Sequence, residues 1–326
     1  MKDLYDRKIN YMRMSITDRC NLRCRYCMPN GVSEKVPMTE ILRYEELVEI
    51  AEAAVSCGIT RFKVTGGEPL VRKDCAAFVG MLKKLSGVEQ VTMTTNGVLL
   101  SENLPALVAA GLDAVNVSLD TLQPARFREI TGVDALGAVK TGIQEALAAG
   151  LHVKINAVLQ RDANASEWMD LVSLAQSDPI DVRFIEMMPI GYGRNFDAVY
   201  NEELRAALKE CFPGTVEDPR IHGNGPATYL HIPGFQGSIG FISPIHGKFC
   251  GQCNRIRLTS MGKLKPCLCY GDTIDIRPIF TEQDPAERQA LLKKAIQEAV
   301  RRKPEAHCFE ELSEITEQKE MVEIGG

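Results

Sequence analysis

Several features are scarce or missing in this chain. There is no excess of positive charge: 38 lysines and arginines face 43 aspartates and glutamates, a net charge of −5. That balance argues against a general binder of nucleic acid or of membrane surfaces. No apolar run approaches the ~20 residues that span a bilayer, so a soluble protein is expected. The segment Met1 to Asn10 is polar, and no secretory signal is expected there. Neither a repeat of fixed period nor a low-complexity tract is visible. With 45% hydrophobic and 25% charged residues, a disordered chain is excluded. The 326 residues, at about 150 per domain, allow roughly two domains. A barrel-like α/β unit would absorb most of them in one.

What is abundant is cysteine, and its count of 11 is odd. Three lie between Cys20 and Cys27 and four between Cys250 and Cys269, while Cys57, Cys75, Cys211 and Cys308 are scattered. Clustering without an even total speaks against a disulfide framework and for a metal centre. The scattered four read as buried thiols, since free cysteine behaves as a small hydrophobe.

The first two thirds alternate short β-branched or apolar runs with helical patterns. Strands are predicted at Tyr11–Thr17, Arg61–Thr65, Gln90–Thr95, Ala114–Leu119, His152–Leu159 and Asp181–Glu186. Helices are predicted at Glu45–Ser56, Asp74–Leu85, Leu104–Ala110, Leu136–Ala149 and Glu167–Gln176. Gly58, Gly111 and Gly150 stand where C-terminal caps belong. Six βα units imply a parallel sheet, because parallel neighbours need helical crossovers. Six are too few for a closed eight-stranded barrel, so an incomplete (β/α)6 barrel of TIM-like type is expected. After about Pro213, glycine and proline become dense. Short strands follow at Tyr229–Ile232, Ser238–Ile242 and Arg255–Thr259, then one amphipathic helix at Pro285–Arg302. This divides the chain into residues 1–213 and a smaller α+β domain, 214–326.

Cys20, Cys24 and Cys27 follow the first strand, where loops of parallel sheets carry chemistry. No fourth cysteine or histidine lies nearby. Three thiolates suit a cubane iron–sulfur cluster with one iron left open. The alternative is a structural zinc with a distant fourth ligand. Cys250, Cys253 and Cys267 form a CxxC followed by 13 residues and a third cysteine, and Cys269 offers a fourth. A zinc ribbon and an iron–sulfur site are both open there. Arg255 and Arg257 alternate on a strand, placing two anion-binding forks beside these cysteines.

CxxxCxxC on the first loop, with Gly66-Gly67-Glu68-Pro69 after the second strand, resembles the radical S-adenosylmethionine (SAM) enzymes. Glycines there let backbone approach a ligand, and Glu68 offers an acceptor for an ammonium group. The order of further strings resembles the GTP 3′,8-cyclases of molybdenum cofactor biosynthesis over nearly the whole chain. These are Thr94-Thr95-Asn96-Gly97, Val117-Ser118-Leu119-Asp120, Val153-Lys154-Ile155-Asn156, Arg183-Phe184-Ile185-Glu186, Cys250-Gly251-Gln252-Cys253-Asn254-Arg255-Ile256-Arg257 and the terminal Gly325-Gly326.

That resemblance implies a radical SAM partial barrel whose C-terminal domain carries a second iron–sulfur cluster. It implies two [4Fe–4S] clusters, on Cys20, Cys24 and Cys27 and on Cys250, Cys253 and Cys267, with Cys269 a bystander. It carries S-adenosyl-L-methionine contacts to Tyr26, Gly67, Ser118 and Met188. GTP contacts carry to Arg13, Lys63, Thr94, Lys154, Arg183, Arg255 and Arg257. Cations on separate strands of an acidic protein are themselves a sign of a lined interior. One departure stands out: Lys63 occupies a place where the family commonly has arginine, and Arg61 one where it often has lysine. Gly325 and Gly326 are implied in catalysis as a side-chain-free tail that threads into the site. The implied reaction is hydrogen abstraction from ribose C3′ of GTP by a 5′-deoxyadenosyl radical, then attack on C8. Implied as well are a flavodoxin or ferredoxin as electron donor, cyclic pyranopterin monophosphate synthase downstream, a homodimer and a cytoplasmic location. Another radical SAM enzyme with an auxiliary cluster, or a non-catalytic zinc scaffold, are the competing readings.

Overall fold

The computed structural model describes residues 1–31 and 36–325. All six predicted strands form: β1 (Tyr11–Ser15), β2 (Arg61–Thr65), β3 (Gln90–Thr95), β4 (Ala114–Ser118), β5 (His152–Ala157) and β6 (Asp181–Ile185). They pair in parallel and in chain order. The crossovers are α1 (Tyr44–Ser56), α2 (Cys75–Lys84), α3 (Leu100–Ala109), α4 (Pro124–Thr131), α5 (Leu136–Ala148) and α6 (Trp168–Ser177). Gly58, Gly111 and Gly150 sit at φ of 86°, 82° and 78° just past α1, α3 and α5, a backbone state that disfavours other residues.

α4 and α7 (Asn201–Cys211) lie outside the predicted helices. Both are mostly polar and bury only Phe127, Ile130 and Thr131, or Asn201, Leu204 and Leu208. The apolar stripe is too thin to stand out in the sequence. Cys211 ends α7 and is exposed, so it corrects the expectation of four buried scattered thiols; Cys75 is buried and Cys57 and Cys308 are half-buried.

The remaining strands are β7 (Val216–Glu217), β8 (Thr228–His231), β9 (Ile239–Ile242), β10 (Arg255–Leu258), β11 (Lys263–Lys265) and β12 (Ile274–Asp275). They join the same sheet, in the order β12-β11-β10-β1-β2-β3-β4-β5-β6-β9-β8-β7. β9 runs parallel to β6 and β10 parallel to β1, so residues after 213 extend both edges of the six-stranded barrel. The order has two ends, and the barrel is open.

Successive side chains point to opposite faces of a strand. Outward residues such as Met12, Met14, Phe62, Val64, Val91, Val115, Ile155, Val182 and Phe184 are buried beneath the helices. The inward set is different: Arg13, Lys63, Thr92, Asn116, Lys154, Asn156, Arg183, Arg255 and Arg257. Parallel strands covered on both faces normally read as continuous apolar runs. Polar inward positions mean that this lumen is not a packed core.

A long helix, α8 (Pro285–Arg301), packs on α1, where Arg288 Nε donates to Glu49 Oε2 at 2.6 Å. Beyond it the chain returns across a small second core of Ile190, Leu268, Cys269, Phe309, Ile315 and Ile324. The returning tail is anchored by the buried ion pair of Lys265 with Glu317, and Lys265 also donates to the Tyr270 carbonyl at 2.8 Å. Removing one partner of such a pair strands a buried charge. Lys265→Met should therefore cost about 3–5 kcal/mol, and the double variant Lys265→Met/Glu317→Leu should recover most of it, as read from urea denaturation midpoints.

Candidate active site

The lumen encloses a cavity of about 900 Å³. Strand register sets its lining: Arg13 pairs with both Lys63 and Arg257, Lys63 with Thr92, Asn116 with Lys154, and Asn156 with Arg183. Neighbouring strands thus present their cations at similar heights. Lys63 is buried and faces no carboxylate partner among the described residues. Burial holds its ammonium well below the usual lysine range, and Arg183, Arg13, Lys154 and Arg255 push it further down. Burial, with Arg13 and Arg255, likewise lowers Arg257. Nε of Arg183, Nε of Arg255 and Oδ1 of Asn156 are buried without a hydrogen-bond partner. The two guanidinium nitrogens are donors that an anionic ligand in the lumen would satisfy.

The floor is built differently. Arg61 donates to Glu89 at 3.1 Å and to Asn224 at 2.7 Å, and Lys154 donates to Asp181 at 2.9 Å and to the His222 carbonyl. His222, stacked on Tyr229, bridges Asp181 and Asp218. The β7–β8 loop therefore closes the N-terminal end of the lumen.

At the C-terminal end of β1 stand Cys20, Cys24 and Cys27. Burial raises all three thiols, Cys24 well above its usual range and Cys27 to about 12, and each of these two is raised further by Cys20. As free thiols they stay protonated, whereas a bound metal deprotonates its thiols outright. The Leu22 N–H donates to Cys20 Sγ at 3.4 Å, and Asn96 Nδ2 lies 3.8 Å from the same sulfur. Such donors tune iron–sulfur clusters.

Cys250 and Cys253 precede β10, which runs parallel to β1, so they lie at the opposite end of that strand pair. A five-residue strand at ~3.3 Å per residue puts the two sets on the order of 15 Å apart. Burial raises Cys250. Burial would raise Cys253 too, yet Lys303 and Arg255 beside it bring it down to about 7. The His307 N–H donates to Cys250 Sγ at 3.4 Å.

Among the described residues, no three His, Cys, Asp or Glu side chains converge as ligands of one ion. Cubane thiolates each bind a different iron and so stay spread, and both triads, with N–H donors on their sulfurs, fit that group.

Gly66 and Gly67 dock on the segment leading into Cys20. A Cβ on Gly67 would lie 2.6 Å from the Arg19 carbonyl oxygen, and one on Gly66 2.7 Å from that of Thr17. Glu68 is not an open acceptor, as the sequence had led us to expect. Its carboxylate takes hydrogen bonds from Thr95 Oγ1 (2.7 Å), the Asn96 N–H (2.6 Å) and the Leu70 N–H (3.1 Å), and burial pushes it up to about 7. It ties the end of β2 to the end of β3.

Tyr26 donates to Asp120 Oδ2 at 2.8 Å, and Asp120 Oδ1 accepts from the Val158 N–H at 2.8 Å. Ser118 ends β4 beside Asn156, Thr94 lines the cavity, and Met188 packs at the second core. Gly325 lies at φ 74° with its carbonyl accepting from Arg257 Nη1 at 2.9 Å, and a Cβ there would meet Ser15 Cβ at 2.9 Å. Gly326 lies outside the described residues.

Sequence reasoning missed Asn96, Asn116, Asp120, Asn156 and Lys303. The first four are polar residues in or just after parallel strands, which is a usable signal. Lys303, buried against the Pro266 carbonyl at 3.0 Å, left none.

An open parallel barrel with three cysteines after its first strand defines the radical SAM class. The Radical SAM superfamily model matches residues 14–175, and the Molybdenum Cofactor Synthesis C model matches 180–309. Streptococcus suis SuiB has the same fold at TM-score 0.61 and 15% identity, over 89% of this chain and 68% of SuiB. Two relatives carry the name GTP 3′,8-cyclase. That of Heliobacterium modesticaldum is 47% identical over 94% of both chains, and that of Alkaliphilus oremlandii is 44% identical over 100% of both. This chain belongs to the GTP 3′,8-cyclase family, radical SAM enzymes of molybdenum cofactor biosynthesis. Membership in the superfamily implies a [4Fe–4S] cluster and SAM. Among the described residues, no helix is long and apolar enough to cross a membrane.

Lys63→Met removes a buried charge that repels its neighbours. It should raise the melting temperature of the ligand-free protein by the equivalent of about 1 kcal/mol or more. It should also weaken binding of the anionic substrate roughly 10–100-fold, the worth of one charge-assisted hydrogen bond. Calorimetry and titration on the same variant check both signs.

Proposed function

We propose that GTP occupies the lumen with its triphosphate among Arg13, Lys63, Lys154, Arg183, Arg255 and Arg257, and with Thr94 beside the nucleoside. The observation that carries this reading is the set of buried cations on separate strands that line the lumen between two cysteine triads, with Lys63 facing no carboxylate among the described residues. Arginine forks bind phosphate oxygens in pairs, and Lys63 contributes a point charge. Cys250, Cys253 and Cys267 would hold a second [4Fe–4S] cluster on the guanine side. Tyr26, Gly67, Ser118 and Met188 would hold SAM against the cluster on Cys20, Cys24 and Cys27.

When bound there, the first cluster and SAM supply one-electron chemistry, a 5′-deoxyadenosyl radical for hydrogen abstraction at ribose C3′. The product is (8S)-3′,8-cyclo-7,8-dihydroguanosine 5′-triphosphate. The chain's own part is to hold, orient and dry the substrate. Asp120 fixes the Tyr26 ring, so the cysteine loop keeps one position relative to β4 and β5. The floor of Arg61, Asn224 and His222 closes one end. At the other, the tail brings Gly325 against Ser15 and onto Arg257, a path with room for no side chain. Closing both ends excludes water and stray hydrogen donors from a radical. With this reading come a flavodoxin or ferredoxin as electron donor, a cytoplasmic location and a homodimer.

The anaerobically reconstituted protein should form 5′-deoxyadenosine and the cyclised nucleotide with GTP, and neither with ATP nor without nucleotide. Equal 5′-deoxyadenosine formation with and without GTP would overturn the reading. Deleting Gly325 and Gly326 should abolish cyclisation while iron content stays unchanged; full activity of the truncated chain would refute the role of the tail.

A further inference from the structure

Two cysteines outside both triads meet in the small second core. Cys269, on the loop after β11, and Cys308, beyond α8, lie 39 residues apart in sequence with their Sγ atoms 3.3 Å apart. This is a contact between thiols, and a side-chain rotation brings two sulfurs from there to the ~2.05 Å of a bond. Around them lie Leu268, Phe309, Ile315 and Ile324 of the second core, with the Tyr270 hydroxyl in hydrogen-bond reach of Cys308. Their accessibilities differ. Cys269 is 0% exposed, whereas Cys308 is half-buried. A reagent in solution reaches Cys308 first, and only Cys308 is placed to hand the reaction on to Cys269.

Both sulfurs stand at junctions. Cys269 follows Cys267 by two residues, and its carbonyl accepts from the Glu317 N–H of the returning tail at 3.2 Å. Cys308 precedes Phe309, the first tail residue in the second core. A bond between them would join the segment carrying Cys267 to the root of the tail that ends at Gly325. It would consume none of the six triad cysteines.

We propose that Cys269 and Cys308 form a reversible dithiol–disulfide site whose oxidant is a low-molecular-weight disulfide. The Cys308 thiolate attacks one sulfur of the oxidant, whose S–S bond breaks and releases one small thiol. The Cys269 sulfur then attacks Cys308, the mixed disulfide breaks, and the second small thiol leaves. In balance, the two protein thiols give up two electrons and two protons. The oxidant takes up both as two thiols. Closed, the site staples the base of the tail to the second triad covalently; open, that base is held by packing, by the Lys265–Glu317 pair and by hydrogen bonds such as those from the Glu317 N–H to the Cys269 carbonyl and from Tyr270 to the Ala306 carbonyl.

The test uses iron-loaded protein held anaerobically with oxidised glutathione, then alkylated and mapped as peptides without reduction. The expected result is a Cys269–Cys308 linked peptide, cleaved by dithiothreitol, with iron content per chain unchanged. Cys269→Ala should instead trap a glutathione adduct on Cys308, and Cys308→Ser should give neither product. Exposed Cys211 serves as the internal control for reagent activity. The proposal is overturned by a lasting glutathione adduct on Cys308 in the unaltered chain, by a link from Cys269 to Cys267, or by modification of Cys211 alone.

Discussion

Like charge confined in a low-dielectric space is the constraint on which this molecule depends. Inward-facing arginines and lysines on β1, β2, β5, β6 and β10 share one lumen, and at its floor Arg61 meets the carboxylate of Glu89 and Lys154 that of Asp181. A fold can carry such a cost only where something else returns it, and an anion held in the lumen would do so. Stability is given up at the place where binding is needed, as at many functional sites. The outward faces of the same strands are ordinary apolar core. Strand periodicity alone therefore separates what holds the barrel together from what makes it reactive.

The residues after 213 complete that separation. β10 brings Arg255 and Arg257 into register with Tyr11 and Arg13 and sets Cys250 and Cys253 at the end of the strand pair opposite to Cys20. β9, β8 and the β7–β8 loop extend the other edge and supply the floor. The tail then crosses the second core, is fixed by the Lys265–Glu317 pair, and brings Gly325 to Arg257. One segment thus contributes a second cysteine triad, two cations, a floor and a lid. It does so by adding strands to an existing sheet, so the pieces inherit the rigidity of the barrel instead of depending on the docking of a separate unit.

Much of this was legible in the sequence. Parallel strands are short, β-branched and bounded by glycine or turn residues, and β1 to β6 were found to within two residues. The cations on those strands were legible because charge is out of place in a doubly covered strand. Asn116 and Asn156 obey the same rule and were overlooked, since asparagine is common enough to ignore. α4 and α7 escaped because they are short and mostly polar, so that their narrow apolar stripes, Phe127 with Ile130 and Leu204 with Leu208, were passed over. β7, β11 and β12 escaped because two or three residues have no period. Glu68 was misread for a related reason. A glutamate after two glycines looks like a ligand residue, but whether its oxygens are already taken depends on Thr95 and Asn96, a full βα unit away. The contact of Cys269 with Cys308 is non-local in the same way.

The exchange of basic residues on β2 follows from the same electrostatics. Arg61, at the start of the strand, has a neutralising carboxylate in Glu89 and a neutral acceptor in Asn224 at the floor, which suit a planar fork with fixed donor directions. Lys63, two residues on, stands deep in the lumen among arginines and faces no carboxylate among the described residues. A guanidinium stays charged in any setting, so an arginine at position 63 would impose its full charge on the empty lumen. Burial and the neighbouring guanidiniums lower the Lys63 ammonium from its ordinary range, and an ammonium yields to such surroundings more readily than a guanidinium does. Lysine thus stands at the deep, unpaired position and arginine at the paired one. The bidentate fork given up at position 63 is the specific loss, and Arg13 and Arg257, beside it across β1, remain to supply that geometry.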